Sequence, residues 1–151
     1  MVGEGSEVIE RKRLVETVKQ MLGAPYRFDG EDPKSGFNCL SYLYWFYRSL
    51  GVEVPDRFRS LSRENYLAYY REAPGRAKLT MLRYLMGLGK RSDPEHKRPG
   101  DLVLMEGDEV FNAIYLGGGK YLTCDTRVGI VVVPQKGLTA KRQVVIRLCP
   151  S

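Results

Sequence analysis

Gly36-Phe37-Asn38-Cys39-Leu40-Ser41-Tyr42-Leu43-Tyr44-Trp45-Phe46-Tyr47-Arg48-Ser49-Leu50-Gly51 is the stretch on which the fold turns. Asn38 can accept backbone N–H groups as an N-cap, so a helix is expected from Cys39 to about Leu50, and Gly51 can end it in the left-handed conformation. The helix is apolar nearly all round, which is the pattern of a helix enclosed by its own domain. Cys39 then sits at the first turn, where free N–H groups and the helix dipole favour a thiolate. A dipole worth about 1 kcal/mol, against 1.36 per pKa unit, lowers the thiol from about 8.5 by roughly one unit.

The chain on the N-terminal side is loop. Leu22-Gly23-Ala24-Pro25-Tyr26-Arg27-Phe28-Asp29-Gly30-Glu31-Asp32-Pro33-Lys34-Ser35-Gly36 is dense in glycine, proline and aspartate, and reads as loop or tight turns. Before it, Val8, Ile9, Leu14, Val15, Val18, Met21 and Leu22 recur mostly at spacings of three and four. They describe a helix over Glu7 to Leu22 with Ser6 as its N-cap.

On the C-terminal side, residues 62–71 and 77–86 read as two more helices separated by Pro74-Gly75. After Pro99-Gly100 the pattern changes to five strands: Asp101 to Met105, Val110 to Leu116, Lys120 to Asp125, Gly129 to Val133 and Gln143 to Leu148. Helices followed by a meander imply an α+β fold. At 151 residues the chain is expected to be one domain, burying roughly 70% of its unfolded surface.

Charge is uneven. The net +6 is carried by Asp56 to Arg98, with eleven Lys or Arg against five Asp or Glu. This basic helical insertion is either a solvated face or the surface that meets an anionic polymer. The longest apolar stretch falls far short of the roughly 18 residues of a membrane span, and the N-terminus shows no secretory pattern, so a cytoplasmic protein is expected. Three cysteines (Cys39, Cys124 and Cys149) and the single His96 argue against a disulfide framework and a histidine-rich zinc site. No metal or other cofactor is expected, and the oligomeric state is not legible.

Three blocks in order resemble the NlpC-type cell-wall peptidases, papain-like cysteine hydrolases that cut γ-D-glutamyl bonds. Residues 22–30 are similar to that family's L-G-x-P-Y-x-W-G-G. Gly36 to Ser41, with Leu50-Gly51-Val52-Glu53-Val54-Pro55, resembles G-F-D-C-S-G and L-G-I-x-L-P. Arg98 to Val103 and Ala113 to Leu122 resemble P-G-D-L-V and H-V-G-I-Y-L-G-N-G-x-F-I-H. The resemblance implies a papain-like α+β domain with Cys39 as nucleophile and Tyr26 as the retained tyrosine.

It also implies that the base histidine is replaced by Phe111 and the third polar residue by Thr123, while Asn38 replaces an aspartate. Without an imidazole the leaving amine has no proton donor, and losing the histidine of such a unit in serine peptidases costs on the order of a million-fold. His96 could stand in only by folding back over the groove. Strand alternation sends Asn112 away from the cleft unless the register slips, and sends Cys124 away if Thr123 faces it. The leading expectation is therefore a degenerate homologue whose groove, floored by Tyr26, Asn38, Cys39, Phe111 and Thr123, binds a peptide-like or acyl ligand. The alternatives are an active cysteine hydrolase or acyltransferase with a non-standard base, and an anionic-polymer binder working through the basic segment.

Overall fold

The computed structural model describes residues 9–54, 83–106, 110–135 and 142–148. Helix α1 spans Arg11–Met21. A short hairpin, β1 (Glu31–Asp32) and β2 (Gly36–Phe37), precedes helix α2 (Ser41–Ser49). Then come β3 (Lys90–Ser92), a 3-10 turn (Pro94–His96), β4 (Leu102–Glu106) and β5 (Val110–Gly117). Strands β6 (Lys120–Asp125), β7 (Gly129–Pro134) and β8 (Arg142–Arg147) complete the order. The larger sheet runs β3-β8-β4-β5-β6-β7, antiparallel throughout.

This is the expected α+β architecture, with six strands in the sheet among the described residues rather than five. The additional strand, β3, has no alternating apolar pattern. Its Lys90 and Arg91 are exposed, and it joins the sheet through its ladder with β8 at the edge, so side-chain periodicity could not reveal it. The β1–β2 hairpin likewise lies inside a stretch that reads as turns.

Alternation divides the sheet into two faces. Leu102, Leu104, Ile114, Leu122, Ile130 and Ile146 pack with Leu14, Val18 and Met21 of α1 and with Tyr42, Leu43, Phe46 and Tyr47 of α2. Val103, Met105, Ala113, Tyr121 and Val145 form a second buried cluster in the opposite phase. This second cluster is why the β4 sequence is apolar at successive positions rather than at every other one.

Helix α1 begins later than its periodicity predicts. Glu10 is extended and caps the helix without a side-chain hydrogen bond, leaving buried Ile9 outside the helix. Ile9 inserts against Gly100, where a Cβ would fall 2.5 Å from Ile9 Cδ1. Tertiary packing of one side chain therefore outweighs a few tenths of a kcal/mol per residue of helix propensity. Ser6 and the helix expected over 62–71 lie outside the described residues, as does most of 77–86. Positions 83–86 are helical.

No helix among the described residues is long and apolar enough to cross a membrane.

Candidate functional site

Asn38 anchors the site. Its Oδ1 accepts from the N–H groups of Leu40 (2.9 Å) and Ser41 (2.7 Å), and its own N–H donates to Ser41 Oγ at 2.9 Å. Its Nδ2 donates to the Phe28 carbonyl at 2.7 Å, tying the loop before the hairpin to the start of α2. The capping predicted for Asn38 is therefore present, but the helix begins at Ser41 rather than at Cys39. Cys39 and Leu40 form the turn in front of it.

The electrostatic consequence is opposite to the expected one. Burial pushes the Cys39 thiol up to about 11, opposed only in part by a backbone hydrogen bond at Cys39 itself. The helix dipole falls off within its first turn, whereas desolvation acts on the whole thiolate. At neutral pH the half-buried thiol is therefore held protonated, rather than roughly a quarter ionised as a depressed value gives.

Tyr26 reaches the same place from the loop. It bridges to Phe37 in parallel fashion, flanked by Arg27 N–H to Phe37 O at 2.9 Å and Phe37 N–H to Pro25 O at 3.0 Å. Between them, Gly36 has φ +95°, and a Cβ there would fall 2.6 Å from the Pro25 carbonyl. Only glycine lets the hairpin approach this loop so closely. The Tyr26 phenol is raised above its usual range by burial first, then by the two thiols Cys39 and Cys124.

Strand β5 supplies the residue that was not expected. Asn112 shares the phase of Ile114 and is 6% exposed, with Nδ2 donating to the Cys39 carbonyl at 3.3 Å. Its Oδ1 accepts from the Tyr42 hydroxyl at 2.5 Å, and its carbonyl accepts from Thr123 Oγ1 at 3.2 Å. The expectation that alternation turns Asn112 away is corrected. The register irregularity of β5 lies at Tyr115–Gly117, so Asn112 and Ile114 keep a common helix-facing phase. One signal could have found it: Asn112 is the single amide between Val110 and Leu116, and a lone amide in a largely apolar strand needs partners.

Cys124 is corrected for the same reason. It follows Leu122 in phase and pairs with Ile130, so it points inward, with Sγ 3.4 Å from the Phe37 carbonyl. Burial pushes its thiol up to about 12, with Cys39 contributing. Cys39 and Cys124 are both free. Cys149 and the Phe111 side chain lie outside the described residues; Phe111 pairs with Met105 in the ladder.

His96 is held at the β8 side of the sheet. It is exposed on the 3-10 turn, with its Nδ1 2.9 Å from Asp93 Oδ2 and its carbonyl held by Arg147 of β8 at 3.1 Å. Among the described residues no three His, Cys, Asp or Glu side chains converge as metal ligands would.

A profile of the NlpC/P60 family matches residues 23–147. The chain is 21% identical over 129 residues to a γ-DL-glutamyl hydrolase of Bacillus subtilis, an alignment covering 82% of this chain and 25% of that protein. Among solved structures, a family member from Bacillus cereus superposes with TM-score 0.62 at 22% identity, covering 93% of this chain and 41% of that one. RipD of Mycobacterium tuberculosis, described as a non-catalytic domain of this type adapted to peptidoglycan binding, gives TM-score 0.56 at 16% identity over 91% and 95% of the two chains. The chain thus spans a quarter of the curated relative and about two-fifths of the Bacillus cereus protein. From residue 23 to residue 147, across the loop, the cysteine turn and the sheet that carries Asn112, the chain belongs to the NlpC/P60 family.

Proposed function

We propose that this domain is a degenerate member of its family that binds a peptide-like ligand in the groove beside Cys39 without hydrolysing it. One observation carries the reading: the β5 side chain facing the cysteine turn is an amide engaged at both ends, by the Tyr42 hydroxyl and the Cys39 carbonyl. An amide takes up no proton at neutral pH, so it serves neither as base toward the thiol nor as acid toward a leaving amine. The high thiol pKa removes unaided attack as well, because the thiolate is the nucleophile. The RipD domain supports the same reading, since a domain of this fold is described as non-catalytic and adapted to peptidoglycan binding.

The test is calorimetric titration of a γ-D-glutamyl stem peptide, with product analysis by mass spectrometry. Saturable binding without cleavage, retained in Cys39→Ala, is expected. Turnover that disappears in Cys39→Ala would establish the rival hydrolase or acyltransferase. Failure to bind any stem peptide would overturn the proposal.

A further inference from the structure

The chain holds a second thiol that the reading of the groove leaves unused. Cys124 of β6 is 9% exposed and points to the helix side of the sheet, where its Sγ donates to the Phe37 carbonyl at 3.4 Å. Phe37 belongs to the segment that leads into the cysteine turn, two residues before Cys39. Two residues of extended chain reach at most about 7 Å, which keeps that turn beside Cys124.

Asn112 closes the same place from β5. It donates to the Cys39 carbonyl at 3.3 Å, while Asn112 and Cys124 each stand two positions beyond the ladder pair Ile114–Leu122 of their strands. Thr123, the neighbour of Cys124, donates in turn to the Asn112 carbonyl at 3.2 Å. The electrostatics report the same proximity: Cys39 raises the Cys124 thiol, second to burial, and both thiols act on the Tyr26 and Tyr42 hydroxyls. Groups from the loop, the cysteine turn, α2 and β6 thus share one cluster.

We propose that Cys39 and Cys124 are a redox pair that closes into a disulfide by exchange with a low-molecular-weight disulfide. The two thiols differ as such a pair requires, since half-buried Cys39 is open to a small reagent and buried Cys124 meets only what Cys39 carries to it. In the first step the Cys39 thiol gives its proton to solvent and its sulfur attacks the reagent, forming a mixed disulfide and releasing one thiolate. In the second, Cys124 gives up its proton and attacks the Cys39 sulfur, and the second thiolate leaves. The pair loses two electrons, and one external disulfide is reduced to two thiols. Raised thiol pKa values slow this exchange without stopping it, because a tenfold smaller thiolate fraction per unit is offset by about threefold greater nucleophilicity. Sulfur is a weak hydrogen-bond donor, so little is lost when the Cys124 Sγ leaves the Phe37 carbonyl. The disulfide takes the Cys39 thiol out of the groove, whichever chemistry the groove performs.

The experiment incubates the reduced whole chain with oxidised glutathione at about pH 8 in native buffer, quenches with acid and N-ethylmaleimide, and maps the peptides by mass spectrometry. A loss of two hydrogens is expected, with linked peptides that contain Cys39 and Cys124, reversed by dithiothreitol and unchanged in Cys149→Ala. Cys124→Ala should stop at one glutathione on Cys39, and Cys39→Ala should keep Cys124 as a free thiol, with circular dichroism confirming that the variants fold. A wild-type chain that keeps glutathione on Cys39 without linking, or leaves both thiols unmodified, would overturn the proposal. So would a link made by Cys149 in place of Cys124, or a Cys39–Cys124 link that forms only after unfolding in urea.

Discussion

Asn112 Nδ2 donates to the carbonyl oxygen of Cys39 across 3.3 Å, joining the middle of β5 to the turn that precedes α2. The contact fixes where the cysteine turn sits, because the same amide is gripped from α2 by Tyr42, which is fully buried. Helix, strand and cysteine-bearing turn are thus joined through one side chain. The amide that faces the cysteine turn is a structural clasp between helix and strand.

Replacing Asn112 with leucine should cost about 1 to 2 kcal/mol of stability, since it leaves the Cys39 carbonyl without the amide and the Tyr42 hydroxyl with only the backbone carbonyl of residue 112, 3.2 Å away. Urea denaturation measures it. The double variant Asn112→Leu/Tyr42→Phe should recover part of the loss, because both ends of the bond are then apolar. A loss under about 0.5 kcal/mol in the single variant would show that the clasp is energetically idle.

Alkylation of Cys39 should be slow at pH 7 and rise about tenfold per pH unit to beyond pH 9, as a thiol held at about 11 requires. Iodoacetamide labelling with peptide mapping reads this directly, and Cys124, held near 12, should label more slowly still. A rate for Cys39 that levels off near pH 8 would contradict the burial argument and reinstate the helix dipole.

Stability should fall in alkali. The native state keeps the Cys39 proton up to about 11, while the unfolded chain releases it near the ordinary thiol value of 9.0. Between those values the unfolded state binds fewer protons, so raising the pH favours unfolding by up to about 1.4 kcal/mol per unit for this thiol. Cys124, Tyr42 and Tyr47 are raised as well and act in the same sense. Thermal melts from pH 8 to pH 11 should show a declining Tm, with a shallower decline in Cys39→Ala.

Removing the guanidinium from Arg147 should be among the costlier single changes outside the groove. Asp101 is 2% exposed, so Arg147→Met strands a buried carboxylate at a cost of about 3 kcal/mol. The 3-10 turn also loosens, since Arg147 holds the His96 carbonyl. Denaturant midpoints give the number, and a change below about 1 kcal/mol would mean that water replaces the guanidinium freely.

Much of the architecture is legible in the residues because it depends on local patterns. The apolar run after Asn38, the Gly-Pro-Asp-rich loop before it and the strands after Pro99-Gly100 each reflect a periodicity or turn chemistry that a few adjacent residues carry. Asn38 was legible as a cap for the same reason: its partners, Leu40 and Ser41, lie within three positions. Tertiary structure decided everything that depends on distant residues. Asn112 and Cys39 are 73 positions apart, and only the register of β5 against its neighbours determines that they touch. The thiol pKa follows from how far distant segments shield a half-buried Cys39 from water, a quantity that no local spacing contains. Strand β3 exists because β8 offers it a ladder, so its polar side chains carry no trace of the pairing. The sequence alone thus determined which elements form and where a thiol stands relative to a helix start. Long-range burial and strand register decided that the thiol is held protonated and that an amide, rather than an imidazole, faces its turn.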